Sequence, residues 1–131
     1  MKSFLNLPVK DLQKSINFFT KLGFTFNPNF TDEKATCMII NEESFVMLLV
    51  ESFFKTFTTK EIPDTTKTAQ LILAVSVESK DEVVAMVDIA LAQGATPAGE
   101  RDLGFMYNKD FYDLDGHKWE IFWMDESQIP A

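Results

Sequence analysis

The sequence has 131 residues, with 46% hydrophobic and 13% aromatic content and a formal net charge of -8 at pH 7. That length sets one ordinary domain as the expectation, the apolar content excludes a disordered chain, and the acidic balance disfavours nucleic acid and anionic membrane partners. One cysteine and one histidine exclude an internal disulfide and a Cys/His zinc site. There is no basic start followed by an apolar stretch, and no apolar run near the ~20 residues that span a bilayer, so a soluble, cytoplasmic protein is expected.

In chain order, residues 1–10 (MKSFLNLPVK) read as a strand ending near Val9, with Pro8 suggesting an edge position. Asp11 is the expected N-cap of a helix in which Leu12, Ile16 and Phe19 fall at helical spacing and Gly23 supplies the stop. A short strand broken at Asn27-Pro28-Asn29 follows, then KATCMII and SFVMLLVE as two strands around a turn at Asn41 to Ser44. Residues 52–68 form a Thr-rich linker in which Phe53, Phe54 and Phe57 adjoin on one helical turn, as a staple over a sheet edge or a lid. The pattern then repeats. Residues 69–78 read as a strand, Ser79 and Glu82 as a capping box, and Gly94 as the helix stop. ATPAGE is a weak short strand, GFMYNKDFY a longer one, and KWEIFWM the last, with a turn at Asp113 to Gly116. The fold class is therefore α+β, with two tandem β-α-β-β-β modules at about 1–51 and 69–126, taken together as one domain spanning 1–131.

Two segments also carry a family resemblance. FLNLPVKDLQKSINFFTKLGFTF, with the Val9-to-Leu12 joint, the Phe18-Phe19 pair and the Leu22-Gly23-Phe24 helix end, resembles the opening of vicinal-oxygen-chelate proteins, the glyoxalase/bleomycin-resistance/dioxygenase superfamily. DLDGHKWEIF, residues 113–122, resembles that superfamily's closing turn and the Glu-bearing strand after it. The resemblance implies two curved mixed sheets, a ligand cup, homodimeric pairing and, in the enzymes, a divalent metal held by side chains projecting into the cup. Such a metal needs His nitrogen or carboxylate oxygen and positions left open for substrate. Carried over by position, the ligand of the closing strand falls on Glu120. The ligands of the two module-opening strands fall on Phe4 and Ile72, and the fourth falls on Met47 or Leu48, none of which suits an oxygen-loving metal. A catalytic metal is therefore disfavoured and no cofactor is expected. His117, beside the turn glycine, reads as a surface or turn residue rather than a ligand. Cys37 reads as an inert buried thiol.

Glu120 shares one strand face with Lys118 and Phe122 and is the candidate catalytic residue, a carboxylate suited in an apolar cup to proton transfer or to holding an amine. The candidate ligand-binding residues are Asn6, a polar exception in an apolar strand; Met38 and Met47, adaptable apolar walls; and Phe105, Met106, Tyr107 and Tyr112, of which the tyrosines offer hydroxyls. Strand alternation permits only some of these to face the cup. Two functions follow as expectations. One is a metal-free binder of a small, largely apolar or aromatic molecule, of the bleomycin-resistance type. The other is a glyoxalase-like lyase or extradiol-dioxygenase-like enzyme with an atypical metal site, or with Glu120 as a lone acid/base.

Overall fold

A computed structural model describes residues 1–128. The chain divides into two compact units, the first ending at Asp64 and the second starting at Thr65.

In the first unit, β1 (Ser3–Val9) leads through α1 (Leu12–Lys21) to β2 (Thr25–Asn27), β3 (Ala35–Ile39) and β4 (Ser44–Val50), followed by the one-turn helix α2 (Glu51–Phe54). The sheet order is β1-β4-β3-β2, with β1 parallel to β4 and the other pairs antiparallel. Local chemistry accounts for the boundaries. Asp11 Oδ1 accepts from the Lys14 N–H at 3.1 Å and caps α1. Asn41 Oδ1 accepts from the N–H groups of Glu43 and Ser44 at 2.9 and 2.8 Å, which turns β3 into β4. Pro8 lies on the edge strand β1, where its missing N–H breaks no central ladder.

One face of this sheet presents Leu7, Val9, Thr36, Met38, Val46 and Leu48, all 2% exposed or less, and these join Leu12, Phe18, Phe19 and Leu22 in the core. The expected linker helix forms at its start only. There α2 packs on β1 and β4, the Phe53 and Phe57 rings meet edge-on at 5.0 Å, and Lys34 Nζ lies 5.9 Å from the Phe53 centroid.

The second unit repeats the plan with β5 (Ile72–Ser76), α3 (Lys80–Ala92), β6 (Thr96–Asp102), β7 (Met106–Tyr112) and β8 (Lys118–Met124) in the order β5-β8-β7-β6. The strand read over 69–78 is shorter, because ladder pairing to β8 runs only from Ile72 to Ser76. The strand read as weak and short is longer. β6 runs seven residues against β7 and absorbs a register shift between Pro97 and Gly99, so cross-strand pairing outweighs its poor intrinsic propensity. Ser79 Oγ accepts from the Glu82 N–H at 3.1 Å, and Glu82 Oε2 reaches back to the Glu78 N–H at 2.8 Å, a capping box displaced by one residue. Val83, Val87 and Ala90 of α3 bury with Phe111, Trp119 and Ile121, all fully buried, and the Phe111 and Trp119 rings stack 4° from parallel.

The turn from β7 to β8 is organised by one carboxylate. Asp113 Oδ1 accepts from the N–H groups of Asp115 and His117 at 2.9 and 3.0 Å, and Oδ2 accepts from Trp119 Nε1–H at 2.9 Å. Gly116, at φ 82°, takes the left-handed corner with the Thr65 side chain against it, and Thr65 Oγ1 donates to the Asp115 carbonyl at 2.6 Å. His117 is a turn residue as expected but not a surface one, being 5% exposed. Among the described residues no helix is long and apolar enough to cross a membrane.

Candidate functional site

Each sheet has a second face, opposite its helix, and the register identifies what it carries. In the second unit Tyr112 pairs with Lys118, Asp110 with Glu120, Asn108 with Phe122, and Met106 with Met124, while Ile72, Ala74 and Ser76 of β5 continue the rows on the other side of β8. Alternation places all of these on the face away from Trp119 and Ile121. In the first unit the corresponding face carries Phe4, Asn6, Phe45 and Met47, with Phe4 stacked on Phe45 at 4.8 Å and 53% exposed.

A polar cluster occupies the centre of the second face. Asn108 Nδ2 donates to Asp110 Oδ1 at 2.9 Å, and Lys118 Nζ lies 3.8 Å from Asp110 Oδ2. The side chains of Asp110 and Lys118 are 7% and 21% exposed, so the pair is largely desolvated, and losing one partner would strand the other's charge. Glu120 is half-buried beside them. Where Ser76, Phe122 and Met124 end their rows, a groove of about 320 Å³ opens, with Glu78, Trp123 and Glu126 also lining it.

The eight residues singled out from sequence fall in different places. Met106, Tyr112 and Glu120 share the second unit's open face. Asn6 and Met47 are cross-strand partners on the first unit's open face. Met38 is 0% exposed in the core of the first unit. Tyr107 pairs with Trp123 and Asp102 on the helix side of β7, where burial first, and then the carboxylate of Glu100, push its phenol up. Phe105 sits before β7, 36% exposed, with its carbonyl accepting from the Asp125 N–H at 2.7 Å. Asn108, Asp110 and Lys118 were not picked out. Their signal was the alternation of Asn108, Asp110 and Tyr112, read together with the hairpin register. Cys37 is buried, and burial pushes its thiol up.

The comparisons with known proteins bear on this arrangement. Residues 3–41, within the first module, match the family model "Bleomycin resistance protein-like N-terminal". A hypothetical protein from S. aureus is similar at 24% identity, with 93% of this chain and 92% of that chain covered and a TM-score of 0.79. A glyoxalase/bleomycin resistance protein/dioxygenase family enzyme from Burkholderia phytofirmans gives 16% identity, coverage of 93% and 97%, and the same TM-score of 0.79. The chain has the vicinal-oxygen-chelate fold. The same fold holds the fosfomycin resistance protein FosX from Listeria monocytogenes, solved with Mn(II) and sulfate, at 20% identity, coverage of 92% and 87%, and a TM-score of 0.67. No curated protein matches the sequence significantly.

A divalent metal does not fit the donors this chain presents. Of the positions to which the resemblance assigns ligands, Phe4, Ile72 and Met47 lie on the open faces but offer two hydrocarbons and a thioether, while Leu48 is buried on the helix side. Glu120 alone offers a hard oxygen. Among the described residues no three His, Cys, Asp or Glu side chains come together.

Proposed function

We propose that this chain binds a small, largely apolar or aromatic molecule on the open face of the second unit's sheet, using its own side chains and no catalytic metal. The reading is carried by the combination found on that face. Ile72, Ala74, Tyr112, Phe122 and Met124 supply apolar walls, and Glu120 is a half-buried carboxylate to which no described residue donates a hydrogen bond. Such a surface, apolar with a few convergent polar groups and leading into a groove, is the general form of a small-molecule site. Glu120 either orients a donor group of the ligand or takes its proton. The exposed apolar side chains Phe4, Phe30, Phe57 and Ile72 support pairing of two copies, as homodimers bury such surface.

The test combines elemental analysis of chelator-treated protein, thermal-shift titration with Mn(II), Zn(II), Ni(II) and Fe(II), and isothermal titration with indole as an apolar probe. Trp123 lines the groove, so Trp123→Ala is measured beside Phe122→Ala. The expected result is no stoichiometric metal, no metal-induced rise in Tm, and probe binding that Phe122→Ala weakens. Stoichiometric metal that raises Tm, or turnover of a glyoxal or catechol substrate that Glu120→Gln abolishes, would replace this reading with the enzymatic one.

A further inference from the structure

The cluster on the open face of the second sheet is chemically bipolar. Lys118 Nζ is 3.8 Å from Asp110 Oδ2, too far for a hydrogen bond, and among the described residues nothing accepts from its three N–H groups although the side chain is only 21% exposed. The Asp110 carboxylate also takes the Asn108 amide and is itself almost fully buried, which fixes the place of the ammonium. Two residues further along the same strand face, about 7 Å away by strand rise, Glu120 has a carboxylate to which no described residue donates. A partly desolvated ammonium that is ion-paired with Asp110 but makes no hydrogen bond, and a partly desolvated carboxylate without donors, thus stand side by side, and each has hydrogen-bonding capacity left for a partner. Beyond Glu120 the row continues into Phe122, Met124 and the groove.

We infer that the molecule bound on this face is an amino acid or a similar small zwitterion with an apolar side group. Its carboxylate meets the Lys118 ammonium, its ammonium meets the Glu120 carboxylate, and its side group lies along Phe122 towards the groove. The two strand positions are about 7 Å apart along the face, and Asp110, which holds the ammonium, is directly opposite Glu120, so one small zwitterion reaches both charges through charge-assisted hydrogen bonds of about 2.8 Å. The inference rests on the proposed binding role and narrows its ligand class.

The experiment is isothermal titration of the intact protein with three matched probes: L-phenylalanine, 3-phenylpropionate, which lacks the amine, and 2-phenylethylamine, which lacks the carboxylate. L-Phenylalanine is expected to bind about tenfold more tightly than either one-armed probe, as one charge-assisted contact implies. Glu120→Gln then weakens L-phenylalanine about tenfold and leaves 3-phenylpropionate unchanged. Lys118→Met strips Asp110 of its cation, so Lys118→Met/Asp110→Asn is measured beside it, and both weaken L-phenylalanine and 3-phenylpropionate while sparing 2-phenylethylamine. Equal affinity for all three probes, or selectivity that survives both sets of variants, overturns the inference. Indole binding with none of the three probes bound overturns the zwitterion but keeps the binding role, whereas failure of indole as well overturns both.

Discussion

Replacing Asp113 by Asn tests whether a single carboxylate organises the β7–β8 turn that sets the register of the open face. The change keeps the size of the side chain and exchanges one acceptor oxygen for an NH2 group. In the native turn both oxygens only accept, two backbone N–H groups on one and the Trp119 indole on the other. Whichever way the carboxamide turns, its NH2 faces a buried donor and leaves at least one N–H unsatisfied, at a cost of about 1–3 kcal/mol. For a chain of 131 residues, that lowers Tm by roughly 4 °C per kcal/mol. Differential scanning calorimetry of Asp113→Asn, Trp119→Phe and the double variant gives the coupling directly, with about 1–2 kcal/mol less lost on Asp113→Asn once the indole donor is gone. The same carboxylate has a pH signature. Burial pushes its carboxyl up, against the lowering by His117, the indole and the backbone N–H groups. The folded state therefore holds more protons than the unfolded one between the ordinary carboxylate range and the raised value, so this group's contribution to stability falls as pH rises through that window. Asp113→Asn removes that slope. A Tm within about 1 °C of the parent, or equal losses with and without Trp119, would refute the organising role.

Other changes read out other parts of the fold. Gly116→Ala forces a positive φ on a residue with a Cβ and drives that Cβ into the Thr65 side chain, so a loss of about 2 kcal/mol is expected in chemical denaturation. Thr65→Val removes only the hydrogen bond to the Asp115 carbonyl and should cost about 1 kcal/mol by the same measurement. Ser79→Ala uncaps α3 for about 1 kcal/mol, read by thermal melting followed by circular dichroism. Cys37, buried with its thiol pushed up, should give no reaction with a thiol reagent in native buffer and one equivalent per chain in guanidinium.

What was legible in the sequence is what short-range chemistry decides. Asp11, Ser79, Gly23 and Gly94 mark helix ends because a cap is satisfied within three or four residues, and the two modules could be matched because those marks recur in one order. Alternation along one strand grouped Glu120 with Lys118 and Phe122, while the side of the sheet that group faces came only with the structure. Met38 was less tractable, because β3 is an interior strand whose residues are apolar on both faces, so no polar alternation marks which side faces the core. Tyr107 and Met106, adjacent and both plausible pocket residues, are separated only by the hairpin register, which sends Tyr107 to the helix side with Trp123 and Met106 to the open face with Met124.

By itself the sequence determined the order of elements, their caps and turns, and the scarcity of metal donors at the positions the resemblance marks, since each of these depends on residue identity and near neighbours. Only the tertiary structure decided that Asn108, Asp110, Lys118 and Glu120 form one cluster. A strand fixes which residues share its own face, but contacts across strands depend on register, and register is settled by the joint burial of Phe111, Trp119 and Ile121 beneath α3.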